Sequence, residues 1–436
     1  MIAMASVAGL LLGASSARAE APAASATAIV EGPGVKIGEG TVLHPIVGAE
    51  TGVISNVFRE DGGGATSGIL RLIGELGIGS LSPQRLELAQ GPLAARTGNE
   101  EEPPPAPANK GDLEFRADLS LTYDEYLTTN RNVRTQRDLS IAAGLRALVF
   151  PMGTWAFAFD DQFTRETRPT NFESRSGTDR DINQLRLQLL FQPRQRTLSA
   201  SLRFENRLDL FEADDHDFAN RLQNTFGLRV NWQFLPVTRF FADASLGLFS
   251  GLGSDSQKVS SMPLRLLMGA QSAITVRTTV NARLGFGKGF YASGPDFTNV
   301  LFGADIGYRY SPVGRITFLY DFDFGDSINA NFYRDHTFKT SIEQQLAPFV
   351  VHGSAELRFR GYRGVLTNLT GPADRDDLIF ALGLGGHYNF RDWFAATLSY
   401  NLLTDQTDFI YMTADGYTDD PSYTRQELLV GVRAAL

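Results

Sequence analysis

Over long segments of this 436-residue chain, apolar and polar residues alternate one by one, and this pattern restricts the fold more than any other feature. Residues 198–205 (LSASLRFE) and 226–232 (FGLRVNW) are examples. A period of two predicts β-strands with one apolar and one polar face. The alternating segments run about nine to fifteen residues, against roughly 5–6 in an average globular strand, and match the ~9–11 tilted residues that cross a bilayer.

Short turns separate the alternating segments about forty residues apart. Proline recurs in them because it fixes φ for a turn and cannot donate into a strand ladder. These turns are 151–153, 193–196, 235–238, 270–273, 311–314, 347–348 and 391–392. Longer polar segments lie between them: 128–136, 166–179, 212–216, 251–257, 364–376 and 404–421. Short turns at one end and long loops at the other are typical of outer-membrane barrels, whose short turns are periplasmic.

The fold class we expect is all-β: a transmembrane antiparallel up-and-down β-barrel with both termini periplasmic. Residues 41–58 and 66–81 add two strands to sixteen after residue 111, which gives eighteen strands. Sixteen is the alternative, with 20–110 as a separate periplasmic segment. Residues 83–110, rich in Glu and Pro, predict a disordered periplasmic excursion between strands. The barrel then occupies 41–436.

The C-terminus distinguishes a membrane barrel from a soluble sandwich. Residues 426–436 (QELLVGVRAAL) alternate to the last residue, as a strand does when it must pair with the first strand of a closed barrel. In hydrocarbon every backbone polar group must be paired, which forces this closure.

The N-terminus has the features of an export signal. An apolar stretch at 2–13 precedes an A-x-A site at 17–19, so 1–19 is predicted as a secretory signal peptide and 20–40 as a periplasmic N-terminal segment. The basic residue that usually precedes such a stretch is missing. The predicted location is therefore the outer membrane of a Gram-negative bacterium. With no cysteine, the chain has neither disulfides nor thiolate metal sites.

Aromatic residues cluster beside the short turns. Rings with one polar and one apolar end settle at a membrane interface, so the recurrence predicts a periplasmic aromatic girdle. Its members are Phe150, Trp155, Trp232, Phe234, Phe240, Tyr308, Tyr310, Tyr388, Phe390, Trp393 and Phe394.

The polar faces of the strands carry many charged residues, most of them within about ten residues of a short turn. The predicted pore-lining residues are Arg116, Arg146, Arg186, Arg203, Glu205, Arg229, Asp243, Arg265, Arg283, Asp305, Arg309, Asp321, Glu356, Arg358 and Arg433. Asp118, Asp160 and Glu427 are further acids expected in the interior. Two interpretations stay open. The charges form a cross-strand lattice that stiffens the wall, or they create a field that favours anionic solutes.

Catalysis is not expected from this sequence. The five histidines are scattered, and the one acidic cluster with a histidine, residues 214–217 (DDHD), lies at a loop tip where such residues are ordinarily solvated. We expect no enzyme, no catalytic or metal-binding residues and no cofactor. The mild net charge of −9 argues against a nucleic-acid partner.

Most of the mature chain resembles known families. Residues 43–45 (LHP) with 55–60 (SNVFRE) resemble the opening strand of outer-membrane β-barrel porin families. Residues 226–230, 306–312 and 384–390 are similar to their later hairpins. Several such barrels accompany exopolysaccharide export machines, and the resemblance implies a porin-like barrel with no catalytic residue to transfer.

Three functions are compatible with these observations. The first is a pore that translocates a large polar substrate, a secreted polysaccharide, because no single long insert offers a constriction loop; residues 20–40 or 83–110 could alternatively plug the barrel. The second is a general diffusion porin for small solutes. The third is a plugged structural or adhesive surface barrel. The expected partners are outer-membrane lipid and lipopolysaccharide, the barrel-assembly machinery through the C-terminal strand, and periplasmic export proteins.

Overall fold

A computed structural model describes most of the chain, and it consists almost entirely of long antiparallel strands. The described residues are 29–30, 32–37, 40–62, 64–80, 112–166, 179–193, 197–212, 214–253, 259–327, 330–365, 373–412 and 418–436. The predicted signal peptide (1–19) and the predicted excursion (83–110) lie outside them.

Eighteen strands form the wall of the molecule. They are β1 (Val42–Ile54), β2 (Ser67–Gly79), β3 (Leu113–Leu127), β4 (Asp138–Val149), β5 (Trp155–Glu166), β6 (Arg180–Phe191), β7 (Leu198–Phe211), β8 (Arg221–Leu235), β9 (Thr238–Gly251), β10 (Ser261–Ala273), β11 (Thr278–Tyr291), β12 (Phe297–Ser311), β13 (Gly314–Asp326), β14 (Phe332–Leu346), β15 (Phe349–Val365), β16 (Ala373–Arg391), β17 (Phe394–Thr407) and β18 (Tyr423–Ala435).

Each strand pairs antiparallel with its neighbours in the chain, and the sheet closes on itself. The last strand, β18, pairs with β1 from Ile46 opposite Ala435 to Ile54 opposite Glu427. Closure gives every strand two neighbours, as a barrel in lipid requires. The prediction of an eighteen-strand up-and-down barrel is confirmed over the sixteen-strand alternative.

Outside the wall, regular structure in the described residues is short. Val35–Lys36 pairs with the start of β1, and Tyr411–Met412 pairs with Thr418–Asp419 in the last loop. A single-turn helix, α1 (Arg131–Arg134), lies between β3 and β4, and a 3-10 helix spans Asp214–Ala219. Among the described helices, none has the length and apolar character needed to cross a membrane.

Alternation along the strands sends apolar side chains outward and most polar side chains into the interior. Outward residues such as Val47 (63% exposed) and Met268 (67% exposed) have no protein to pack against. The apolar band therefore surrounds the barrel instead of filling a core. Buried apolar residues occur only in small separate clusters at the two ends of the described barrel.

Short turns lie at one end of the barrel, the short-turn end, and the longer connections lie at the other, the loop end. One turn differs from its prediction. Strand β10 continues through Ala273, so the turn falls at 274–277 and not at 270–273. It closes with Thr275 and Thr278 hydrogen-bonding through their backbones. Exposed Ile274 and Val276 stand where Pro or Gly would have marked the turn.

The described part of the N-terminal segment enters the short-turn end. Val30 is fully buried against the inward residues Ile46, Ala395 and Ala435. The backbone N–H of Gly34 donates to the carbonyl of Leu436 at 3.0 Å. These contacts fix residues 29–30 and 32–34 beside the seam where the barrel closes.

Candidate functional site

The interior wall of the barrel is the candidate site. The strand registers place all fifteen residues predicted to line the pore on the inward face. They come from twelve strands between β3 and β18. The alternation brings them to one surface because a closed sheet has a single interior.

Many of these charges lie beside an opposite charge. Arg146 lies 2.8 Å from Asp160 and Arg186 lies 3.0 Å from Glu205, each on the neighbouring strand, and Arg283 contacts Asp321 two strands away, across Gly303. Arg358 pairs with Glu356 two positions along its own strand. These pairs support the lattice interpretation, since a paired arginine has less charge to offer a passing solute.

A second group of interior charges joins the first and last strands. Arg71 on β2 lies 2.8 Å from Asp124 on β3 and 3.0 Å from Glu427 on β18. Glu50 on β1 accepts a hydrogen bond of 2.8 Å from Arg433 on β18. Sequence reasoning included Arg433 and Glu427 but missed the other three. Extending the period of two through β1, β2 and the end of β3 would have found them.

A third group lies near the loop end of β14–β17. Arg360 bonds Asp335 at 2.7 Å, and its guanidinium lies 3.8 Å from the ring centre of Tyr333. Arg375 bonds Asp377 at 2.6 Å and lies 3.6 Å from Asp405. All are buried or nearly so, although they face the interior. The pore-lining prediction rested on charges within about ten residues of a short turn, and these residues lie farther along their strands.

The interior is narrowed where the β13–β14 hairpin leaves the wall. Pairing between β12 and β13 ends at Phe302 opposite Phe322, whereas β13 and β14 stay paired to Asp326 opposite Phe332. We call residues 323–327 with 330–334 the inward tip. The sequence offered no single long insert as a constriction loop, and it gave no sign of this narrowing. The narrowing comes from strand ends that bend inward, and no long inserted loop is needed.

Aromatic packing holds the inward tip against the opposing wall. Phe324 stacks on Phe297 with ring centres 4.0 Å apart, and Phe332 meets Phe297 edge to face at 5.5 Å. Leu301 belongs to the same buried cluster. The alternation of β13 predicts that Phe324 faces outward, so the strand changes its facing where it leaves β12. Sequence alone contains no sign of this change.

Two arginines on distant strands also contact the inward tip. Arg265 on β10 donates to Asp323 at 3.1 Å, and its guanidinium lies 4.2 Å from the ring centre of Phe324. Arg221 on β8 lies 2.9 Å from Asp326. Five strand spacings of about 4.8 Å separate β8 from β13 along the wall. No side-chain pair spans that distance, so the tip must reach across the interior.

The opposite side of the loop end carries a smaller inward element. Val133 of α1 is buried against the inward residues Ile54, Ile69, Tyr126 and Leu429. The side chain of Asn130 caps α1 by accepting from the N–H of Asn132 at 3.0 Å. Helix α1 thus covers β1–β3 and β18, while the inward tip covers β10–β12, about half a circumference away. The interior is narrowed from two sides at the same end.

The predicted aromatic girdle residues all lie at the short-turn end. Nine are on the outward face, and Phe150 and Trp393 stand exposed in turns. Several touch, as Trp232 and Phe234 do with ring centres 5.0 Å apart. A closed, even-stranded single-chain barrel with an outward apolar band and an aromatic ring at its edge is built for one environment. The chain is a transmembrane β-barrel of the bacterial outer membrane.

Comparisons with known proteins give solved structures of low sequence identity. No family model and no curated protein match the chain. It is similar to the structure of OccK2 (OpdF) from Pseudomonas aeruginosa in complex with glucuronate, with 11% identity, a TM-score of 0.45, and coverage of 91% of this chain and 99% of that one. Pseudomonas aeruginosa OpdQ has 8% identity and a TM-score of 0.44, with coverage of 92% of this chain and 100% of that one. A bacterial polysaccharide outer membrane secretin has 10% identity and a TM-score of 0.33, with coverage of 90% of this chain and 97% of that one. These values assign no family.

Proposed function

We propose that the barrel is a diffusion pore for small polar solutes. The observation that supports this proposal is the loop-end narrowing by α1 and the inward tip. The interior that they narrow carries charged side chains from the short-turn end to the loop end. Water and small hydrophilic molecules are stabilised along such a wall because it offers donors and acceptors at every level. An eighteen-strand barrel is wide enough to contain water.

The same narrowing favours small solutes over a secreted polysaccharide, which was our first hypothesis from sequence. A polymer chain with bulky hydrated sugars needs continuous width, and the bridges from Arg221 and Arg265 to the inward tip cross the interior where it would pass. We therefore place the diffusion pore ahead of polymer export. A catalytic role is not part of the proposal, and β18 remains the proposed contact for the barrel-assembly machinery.

Reconstitution tests the proposal. Purified mature protein in planar bilayers should give discrete conductance steps, and liposomes containing it should swell in solutions of monosaccharides and disaccharides. Swelling should fall steeply as the sugar grows, and dextrans should stay excluded. Absence of conductance would instead support the plugged structural barrel. Free passage of dextrans would restore the polymer hypothesis.

A further inference from the structure

One part of the outward face departs from the apolar band. Asp161 on β5, Asn183 on β6, Asn206 on β7 and Asn224 on β8 lie on four consecutive strands, and we call them the amide row. The registers set Asn206 directly opposite Asn224. Asp161 faces Leu185, and Asn183 lies two residues from Leu185 on the same face of β6.

The facing of these residues follows from their neighbours on the same strands. Leu202 lies four residues from Asn206 on the same face and is 56% exposed. Phe226 lies two residues from Asn224 and is 51% exposed. Such exposure is typical of lipid-facing residues. On β5 the exposed Trp155 and Phe157 share the face of Asp161. The amide row therefore points toward lipid and away from the barrel interior.

The depth of the amide row places it within the apolar band. Asp161 comes six residues after Trp155 of the girdle, and Asn224 lies eight residues from Trp232. For tilted strands these separations are about 15 Å and about 20 Å along the barrel axis, in a band ~25 Å tall. Phe163 follows Asp161 on the same face, and Leu208 and Leu210 follow Asn206. Apolar residues thus lie on both sides of the row, so headgroup water does not reach it freely.

Hydrogen bonding within one barrel satisfies the amide row only in part. Asn206 Nδ2 donates to Asn224 Oδ1 at 2.8 Å, and Asn183 Nδ2 donates to Asp161 Oδ1 at 3.1 Å. Each amide group has two donor hydrogens and an acceptor oxygen. Asn206 Oδ1 and Asn224 Nδ2 therefore keep capacity that acyl chains cannot meet, and a polar group without a partner in hydrocarbon is costly.

Two strands outside this sector show the contrast. At corresponding positions the outward face of β10, two strands from β8, carries Leu264, Leu266 and Met268, and that of β16, on the far side of the barrel, carries Leu382 and Leu384. On these two strands no amide interrupts the apolar band. Aromatic side chains flank the amide row, with Phe204 and Phe226 in contact at 5.3 Å between ring centres.

We propose that the amide row is the centre of an interface with a second copy of this chain, related by a two-fold axis. Asparagine is both donor and acceptor, so the same residues on two copies can complete each other: Asn224 Nδ2 of one barrel donates to Asn206 Oδ1 of the other, and the reverse. Such self-complementarity is the property of a two-fold interface. Phe204 and Phe226 supply the flanking apolar contact that buried interface centres use.

The mass of the solubilised protein tests the proposal first. Wild-type protein in mild detergent and in lipid nanodiscs should have twice the mass of the chain by sedimentation. Asn206→Leu with Asn224→Leu should give single barrels that still fold, shown by heat-dependent gel migration, because leucine suits the lipid-facing surface. The control Thr340→Leu, at an outward position on β14, should remain dimeric. A monomeric wild type, with or without bound lipopolysaccharide, overturns the proposal. A trimeric wild type or a dimeric double variant also overturns it.

Cross-linking in native membranes gives a second test that does not depend on the leucine variants. The chain has no cysteine of its own, so single cysteines report unambiguously. Cysteine at one or more of positions 161, 183, 206 and 224 should form covalent dimers under oxidation or with a short thiol cross-linker. Leu384→Cys on the far side of the barrel should not. Absence of cross-links at all four positions, or equal cross-linking at 384, contradicts the interface.

Discussion

Single residues decide how tightly the barrel closes at the seam between β18 and β1. Gly48 leaves the space that the Arg433 side chain occupies, and Arg433 there reaches Glu50 at 2.8 Å. Gly52 leaves room for the backbone of the facing strand, since a Cβ on it would collide with the carbonyl oxygen of Leu428. Small residues on β1 thus allow β18 to approach closely at the one place where the two ends of the sheet must meet.

This close approach predicts the effect of a methyl group at the seam. Gly52→Ala should lower the free energy of unfolding by about 1–3 kcal/mol, because rigid backbone atoms must move to accept the new Cβ. The measurement is the urea midpoint followed by the loss of fast migration of the folded barrel on unheated gels. Gly74→Ala on β2 is the matched control, because a Cβ at Gly74 would have no neighbouring atom within 4 Å. The seam argument fails if the two variants unfold at the same urea concentration.

Among the elements, the β13–β14 hairpin governs the width of the interior. Arg265 and Arg221 hold its inward tip by bridges to Asp323 and Asp326, at 3.1 and 2.9 Å. Replacing both arginines by alanine should loosen the tip and raise single-channel conductance, on the order of two-fold for a partly cleared constriction. The aromatic cluster of Phe297, Phe324 and Phe332 remains in this variant, so the barrel itself should stay folded.

A matched variant shows whether a rise in conductance comes from release of the inward tip or only from the loss of positive charge in the interior. Arg146→Ala with Arg186→Ala also removes two interior arginines, but their partners Asp160 and Glu205 belong to the wall. Its conductance should stay near the wild-type value. Equal conductance in both double variants would show that the bridges do not set the width.

The strands could be predicted from sequence and the constriction could not, for a physical reason. Lipid outside and water inside impose a period of two on every strand, so β7 and β8 were located from their own residues. The inward tip instead depends on contacts between Phe324 and Phe297 and between Arg221 and Asp326, which are distant in sequence. Val133 of α1 was likewise hidden in a polar loop, RNVR, with one apolar residue. The alternation of apolar and polar residues predicts which face of a strand meets lipid, but it does not predict where the end of a strand bends inward.

At the scale of the whole molecule, the arrangement of charge determines which ions pass. The interior has both signs on eleven of the eighteen strands, and most described arginines there lie beside a carboxylate. The wild-type pore should therefore show only weak preference between potassium and chloride. Arg229→Glu with Arg283→Glu should make it cation-selective, by roughly two- to five-fold in permeability ratio, because carboxylates replace two guanidinium groups in a confined interior. Reversal potentials across a salt gradient measure this ratio.

The permeability ratio of the wild type, together with a control variant on the lipid side, distinguishes a structural lattice from a field that attracts anions. Lys288→Glu on β11 reverses a charge on the lipid side, where Lys288 lies over the ring of Phe290 at 4.5 Å, and should leave selectivity unchanged. If the wild type already prefers chloride several-fold and the double variant abolishes that preference, the interior arginines act on solutes although they are paired. A weak ion preference in the wild type that becomes a cation preference only in the interior variant means that the fields of the paired charges cancel at a distance. Selection among solutes then depends mainly on the width left by the inward tip and α1.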